Sequence, residues 1–237
     1  MTMSTVISLV RTITPVALAL AVLGAPDRAG AGQLIGDTQP KISGSALVKE
    51  LRKGGYIVFF RHGATTDFRE KDLADSELDR CELQRNLSEA GRALTRKIGE
   101  SFRQLQIPVG ASFSSPYCRA METATQIVGR AQKSKFLYFA TNVRTSDRAS
   151  VTAQLLDMLG TPPAAGTNTV MVSHTANLQE AVGIWPKPEA VAHVFKPGSE
   201  GNFTYVGMMA PDGWFEEAAR AGGKSGWWPA KWFGDNK

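Results

Sequence analysis

The chain has 237 residues, of which 43% are hydrophobic and 21% are charged, an ordinary composition for a globular protein. Its length suits one α/β domain better than two. The net charge of +5 comes from basic residues scattered among acidic ones, without the basic stripe or aromatic ladder of a nucleic-acid-binding protein. These features argue against a nucleic-acid partner and favour small anionic substrates, which a positive protein attracts.

The first 31 residues differ from the rest of the chain. Arg11 precedes an apolar run over 13–23, and Ala29-Gly30-Ala31 supplies the small residues of a cleavage site. The run is shorter than the about 20 apolar residues that cross a bilayer. We therefore predict a signal peptide over 1–31 and one domain over 32–237. That domain would be periplasmic or secreted, with no stable membrane span after cleavage. An uncleaved membrane anchor is the alternative.

Export would place the two cysteines, Cys81 and Cys118, in an oxidising compartment. An even pair there favours one disulfide, which would tie the loop that contains Cys81 to the segment that presents Arg119. Two separately buried thiols are the alternative.

Strands and helices alternate along the chain from residue 45 onward. Predicted strands, in chain order, cover residues 56–60, 111–113, 136–139, 168–173, 191–195 and 203–209. Predicted helices cover residues 45–53, 88–105, 116–127, 146–160 and 176–181, with Ser45, Ser88 and either Ser146 or Asp147 as N-caps. The alternation predicts an α/β fold, a three-layer α/β/α sandwich with a mostly parallel central sheet.

A polar connection over 64–86 is the longest predicted loop, and loops of this length are usually functional or mobile. A solvated surface excursion explains most of its charges equally well. We expect only the residues next to Gly63 to be placed for chemistry.

Three motifs bring cationic or imidazole side chains to the ends of strands. In chain order they are Arg61-His62-Gly63, Ser114-Ser115-Pro116 with Arg119 and Glu122-Thr123-Ala124, and Ser173-His174. The carboxyl ends of parallel strands meet at one edge of a sheet, where open α/β proteins bind ligands. As a set and in this order, the motifs resemble the histidine phosphatase superfamily, also called the phosphoglycerate mutase-like family. The resemblance extends from about residue 46 to about residue 205.

The resemblance implies a role for each of these side chains. His62 would be the nucleophile that forms a phosphohistidine intermediate, and His174 would hydrogen-bond the phosphoryl oxygens in the transition state. Arg61 and Arg119 would bind the phosphate, because a planar guanidinium matches its oxygens. Thr65 would donate its hydroxyl to the phosphate or merely cap the loop. The resemblance implies no metal and no cofactor.

The proton donor for the leaving alkoxide is harder to assign. Ala64 follows Arg-His-Gly, where relatives often have an acidic residue or glutamine. Glu189 is the favoured candidate, because exported relatives of this type often carry a glutamate before the strand that follows the second histidine. Asp147 and Asp67 are the other candidates.

Two other interpretations of the histidines compete with a role in phosphate chemistry. A zinc site built from His62, His174 and a carboxylate is the weaker hypothesis, because the tight ligand spacing of structural zinc is absent and two arginines would repel a dication. His193, between Val191 and Phe195 in a predicted strand, is more typical of a structural histidine.

The sequence thus predicts an exported phosphomonoesterase of the histidine acid phosphatase type. Its substrate would be a small phosphorylated molecule, and exported proteins that it resembles suggest a sugar phosphate or a lipopolysaccharide core phosphate. A catalytically silent phosphate-binding or envelope-interaction module is the alternative. A phosphomutase is a lesser alternative, because an exported protein has little use for a cytosolic bisphosphate.

Overall fold

The computed structural model describes residues 32–67 and 77–222 of the chain. The predicted signal peptide over 1–31 lies outside the described residues, so it stays a prediction. Within the described ranges, none of the helices is both long enough and apolar enough to cross a membrane.

Among the residues that the structure describes, six strands form one central sheet. In chain order they are β1 (Ile57–Arg61), β2 (Val109–Ser114), β3 (Gln132–Lys133), β4 (Asn168–Ser173), β5 (Ala192–Pro197) and β6 (Phe203–Met209). Their order across the sheet is β3-β2-β4-β1-β5-β6. The first four strands in this order pair in parallel, and β5 and β6 add to the edge as antiparallel strands. The prediction of a mostly parallel sheet is confirmed.

In the described ranges, six α-helices cover the two faces of the sheet. They are α1 (Gly44–Leu51), α2 (Glu89–Gln104), α3 (Cys118–Val128), α4 (Thr145–Gly160), α5 (Thr175–Val182) and α6 (Pro211–Gly222). One core cluster joins α1, α2, α3 and α6 to one face of the sheet, with Phe60, Phe102 and Trp214 in mutual ring contact at its centre. A second cluster joins α4 and α5 to the other face. The molecule therefore has the predicted α/β/α layers.

The buried strands β1 and β4 lead directly from the core to the candidate site. Every residue of β4 is buried, and β1 is buried up to its last residue, Arg61. Such strands have apolar neighbours on both faces, as the sequence predicts for central strands of a parallel sheet. The strands end at Arg61 and Ser173, so His62 and His174 follow one residue beyond them and are still buried.

Some local predictions are wrong. Residues 136–139 do not form an edge strand; a 3-10 helix occupies Lys135–Leu137, and the edge strand is the shorter β3. Helix α1 begins at Gly44 rather than after Ser45, whose hydroxyl instead donates to the buried carboxylate of Glu217 at 2.6 Å. Helix α4 begins at Thr145, so its N-cap is neither Ser146 nor Asp147. The prediction of Ser88 as the N-cap of α2 is confirmed, since its hydroxyl accepts from the amide of Gly91.

The predicted disulfide is present between Cys81 and Cys118, whose Cα atoms are 5.7 Å apart. It joins the end of the long loop, residues 77–86, to the first residue of α3. A small cluster of Leu78, Tyr117 and Tyr138 packs beside this connection.

Candidate active site

The register of β1 against β4 sets the centre of the candidate site. Arg61 lies opposite Ser173 in this parallel pair, so the next residues, His62 and His174, leave the sheet side by side. Their ring centroids are 5.2 Å apart in an edge-to-face arrangement. Both side chains are buried, with exposures of 4% and 1%. The two motifs that the sequence places at separate strand ends therefore meet.

The hydrogen bonding of His62 leaves its Nε2 atom unprotonated. Its Nδ1 lies 2.8 Å from the carbonyl oxygen of Gly63, a partner that can only accept a hydrogen bond. The proton therefore belongs on Nδ1, which leaves the lone pair of a neutral ring on Nε2. The backbone of His62 is held on both sides, by Ser173 and by Ala190.

Gly63 allows the loop after His62 to lie close to helices α2 and α3. A Cβ atom at this position would stand 2.8 Å from Thr95 of α2. The amide of Gly63 donates to the hydroxyl of Thr123, which in turn donates to the carbonyl of Arg119 in the first turn of α3. This short chain of hydrogen bonds links the histidine motif to the arginine motif.

His174 is held by Ser115 and by two aromatic rings. Its Nε2 lies 2.8 Å from the hydroxyl of Ser115, which stands just beyond the end of β2. The rings of Tyr117 and Phe139 pack against its imidazole, with centroids 5.3 and 4.8 Å away. The same two rings lie against the guanidinium of Arg119, which is fully buried. Cation–π contacts of this kind compensate part of the cost of burying a charge.

Arg61 is fixed by the loop over 183–190, which follows α5. Its Nη1 donates to the carbonyl of Pro186 at 3.2 Å, and its Nη2 pairs with the carboxylate of Glu189 at 2.5 Å. The Nε atom of Arg61 is buried and has no hydrogen-bond partner among the described residues. Two of the five N–H donors of the guanidinium thus bond to the loop, and the buried Nε–H is among those left for a ligand.

Arg85 is a candidate site residue that the sequence-based prediction missed. Its charge contributes to lowering the pKa of His62, His174 and Arg61, so it lies within electrostatic range of all three. Its Nε is buried without a hydrogen-bond partner within the described ranges. The expectation about the residues next to Gly63 therefore left this candidate out. The sequence carries no local signal for it, since Arg85 lies four residues before the start of α2, in a loop with many other charges.

Burial and positive neighbours keep both site histidines neutral. Burial, followed by the charge of Arg119, lowers the pKa of His62 to about 3. The same two causes, in the same order, hold the pKa of His174 well below its usual range. An unprotonated imidazole is the form that can act as a nucleophile, so the site needs no separate base to deprotonate His62.

The remaining predicted residues lie at different distances from this centre. Thr65 is half-buried and pairs with Leu87 through its backbone. Asp67 is exposed. Asp147 is bonded to Ser146 and Arg144 on α4, and these two hydrogen bonds lower its pKa, the opposite of what a proton donor requires.

His193 lies away from solvent within β5, where its Nδ1 is 2.9 Å from the hydroxyl of Tyr205. Burial lowers its pKa to about 4. This environment is that of a structural histidine, as the sequence predicts. In the part of the chain that the structure describes, no three histidine, cysteine or carboxylate side chains are grouped as metal ligands.

Comparison with known proteins points to one family. Residues 57–137, about a third of the chain, match the model of the histidine phosphatase superfamily (branch 1). This segment contains both Arg61-His62-Gly63 and Arg119, so the match confirms the predicted resemblance. A search of curated proteins gave no match.

Several solved structures share similarity with the chain. The protein histidine phosphatase SixA, complexed with tungstate, is 16% identical over 66% of this chain and 97% of its own, with a TM-score of 0.46. A mycobacterial glucosyl-3-phosphoglycerate phosphatase is 17% identical over 64% of this chain and 97% of its own, with a TM-score of 0.46. A phosphoserine phosphatase mutant from Entamoeba histolytica is 13% identical over 67% and 98%, with a TM-score of 0.42.

Replacing Arg85 by alanine should weaken the binding of inorganic phosphate or vanadate about tenfold or more, because a charge-assisted hydrogen bond to an anion contributes about 1.5–3 kcal/mol. Titration calorimetry on the purified protein measures this. Arg80→Ala is the matched control, since Arg80 lies in the same segment but is exposed and pairs with Glu77 and Glu82. Equal affinities for the Arg85→Ala and Arg80→Ala proteins would contradict the assignment.

The stability of the fold should fall as the pH drops below about 6.5. All three histidines of the chain are buried with lowered pKa values, while in the unfolded chain each takes up a proton near pH 6.5. Unfolding therefore binds protons in this range, and each histidine should cost about 1.4 kcal/mol of unfolding free energy per pH unit. Urea unfolding between pH 5 and 6.5 measures the slope. His193→Gln should reduce it by about one third, and a flat profile would show that the histidines are not buried in their neutral form.

Proposed function

We propose that this chain, whose residues 57–137 match the model of the histidine phosphatase superfamily (branch 1), is a phosphomonoesterase that works through a phosphohistidine at His62. The observation that carries the proposal is the meeting of two neutral, buried histidines with three arginines at the end of β1 and β4. A phosphate monoester carries two negative charges, and its transfer demands positioning and charge neutralisation above all. This site supplies both.

The polar atoms of the site support an anionic ligand. The Nε atoms of Arg61 and Arg85 and the Nδ1 of His174 are buried and lack hydrogen-bond partners within the described ranges. A buried polar group without a partner costs free energy, which a bound phosphoryl group would recover by bonding several of them at once. In the low dielectric of the site, the arginines attract such a group far more strongly than they would in water.

The reaction proceeds in two displacements. Nε2 of His62 attacks phosphorus, the bond from phosphorus to the ester oxygen breaks, and the alcohol leaves. Water then attacks the phosphohistidine, the bond between phosphorus and nitrogen breaks, and inorganic phosphate is released with His62 returned to its neutral form. Arg61, Arg85 and Arg119 stabilise the charge of the phosphoryl oxygens in both steps, and His174 hydrogen-bonds to them.

We assign proton transfer to Glu189, whose contact with Arg61 places its carboxyl group at the edge of the site. It would protonate the leaving oxygen in the first step and accept a proton from water in the second. Its side chain is about one third exposed, so it can exchange that proton with solvent between steps.

Small phosphorylated molecules are the proposed substrates, with a sugar phosphate or a lipopolysaccharide core phosphate as the class suggested by the resemblance. We also propose that the protein is exported to the periplasm or secreted. The disulfide between Cys81 and Cys118 supports this compartment, since such bonds persist in oxidising environments and are rare in the cytosol.

His62→Ala should lower the turnover of para-nitrophenyl phosphate by about a thousandfold or more, since the attacking atom is lost. His193→Ala, a buried histidine outside the site, is the control for effects of histidine removal on folding. Rapid quenching of the wild-type protein should trap phosphate on His62 as an acid-labile, base-stable adduct. Label on a serine would contradict the mechanism. Tight phosphate binding without turnover would identify a silent binding module, and activity that chelators abolish and zinc restores would support the metal hypothesis.

Glu189→Gln tests the proton donor through the leaving group. An alkyl phosphate has a basic leaving oxygen that needs a proton, whereas para-nitrophenolate leaves without one. We expect kcat for an alkyl phosphate to fall about a hundredfold, and kcat for para-nitrophenyl phosphate to fall less than tenfold. An equal loss for both substrates would mean that Glu189 only positions Arg61.

A further inference from the structure

A groove of about 440 Å³ lies beside the candidate site, on the solvent side of helix α3. Its lining includes Leu78, Cys81, Pro116, Cys118 and Met121. Two ion pairs, Arg92 with Glu122 and Lys133 with Asp79, border it. The volume is within the range of small-molecule sites, and the proposed reaction makes no use of this groove.

The disulfide is accessible from this groove. Cys81 is exposed and Cys118 is half-buried, and both line the groove. Along α3, Cys118, Met121 and Thr125 face the groove, while the buried Arg119 belongs to the neighbouring face and to the active site. The disulfide cysteine Cys118 and the arginine that would bind phosphate are therefore consecutive residues on neighbouring faces of one helix.

The segment over 77–86 is held on α3 by the disulfide and by the side chain of Gln84, and Asn86 braces the segment internally. Gln84 accepts from the amide of Cys118 and donates to the carbonyl of Leu78, both at 2.8 Å. Asn86 donates to the carbonyl of Cys81 at 2.6 Å. Arg85 stands between these two residues, so the attachment of the segment also constrains the position of Arg85, whose charge acts on both histidines.

We propose that the Cys81–Cys118 disulfide is a thiol–disulfide exchange site, which a thiol-bearing reductant reaches through the groove, and that its reduction weakens the arginine side of the active site. The second part rests on the proposed phosphatase function. The first part, the exchange itself, is independent of any activity.

The exchange proceeds through two successive displacements at sulfur. A thiolate attacks Sγ of Cys81, the bond between the two Sγ atoms breaks, and Cys118 leaves as a thiolate. A second thiolate then attacks the outer sulfur of the mixed disulfide, which releases the oxidised reductant and leaves Cys81 reduced. Two electrons pass from the two external thiols to the protein, and solvent supplies two protons. Cys118 is the better leaving group, because the N-terminus of α3 and the adjacent Arg119 stabilise its thiolate.

Treatment of the native protein with dithiothreitol tests the proposal. Mass spectrometry after alkylation should show two new tags while near-ultraviolet circular dichroism stays native. Over the same interval the affinity for vanadate and the kcat/KM for para-nitrophenyl phosphate should each fall about tenfold or more, because small displacements of positioning groups cost about a hundredfold per ångström. Reoxidation should restore both. Full tagging with unchanged vanadate affinity would overturn the coupling, and tagging that begins only when the protein unfolds would overturn the exchange site.

Further variants test separately whether the disulfide is the target of the reagent and whether the groove is its route. The double variant Cys81→Ser/Cys118→Ser should have the lowered vanadate affinity from the start and should not respond to dithiothreitol. A response in this variant would show that the reagent acts elsewhere.

Met121→Trp should fill the groove and slow exchange with glutathione severalfold, whereas Glu100→Trp, on the exposed side of α2, should not. Equal exchange rates would show that the groove is not the route.

The tagging and vanadate measurements do not depend on turnover. If the oxidised protein binds vanadate but hydrolyses no ester, the phosphatase proposal fails while the exchange site is still judged by its own data.

Discussion

The parallel pairing of β1 with β4 is the constraint on which the candidate site depends. Because Arg61 lies opposite Ser173, both strands end at the same level, and the next residues, His62 and His174, lie side by side. A slip of one residue would turn every side chain of a strand to the other face of the sheet and separate the two imidazoles. The apolar side chains that fix the register on both faces therefore also fix the distance between the histidines.

The site gathers positive charge where water is excluded, and this one condition serves two purposes. Burial and the nearby guanidinium groups disfavour a further proton, so His62 and His174 stay neutral at ordinary pH. The same low dielectric strengthens the attraction between the arginines and a phosphate ester. Glu189 balances Arg61 but leaves an excess of positive charge, which a dianionic ligand complements. In the proposed reaction, nucleophile activation and substrate binding thus share a single physical cause.

The site residues that could be predicted from the sequence are those at the ends of regular strands and helices. Arg61, His62 and His174 follow long apolar strands, and Arg119 opens a helix behind a Ser-Ser-Pro turn, so their positions could be inferred from pattern. Arg85 could not, because the loop over 64–86 carries many charges and only three-dimensional contacts distinguish the one that faces inward. The edge strand predicted over 136–139 was wrong for a related reason: apolar residues there pack beneath the site rather than extend a sheet. The predicted start of α1 at Ser45 was wrong because the hydroxyl of Ser45 donates to Glu217 instead of capping the helix.

The disulfide occupies the place where the hydrophobic core contributes least. The two large core clusters contain no residue of the segment over 77–86, and Leu78 anchors that segment to a satellite cluster of only two further buried residues within the described ranges. A segment with so little buried apolar surface opens easily, since local stability follows local burial. Yet this segment carries Arg85 and adjoins Arg119. A covalent bond between Cys81 and Cys118 adds a constraint where packing adds little, and this is the physical ground for proposing that the geometry of the arginines depends on the oxidation state of the bond.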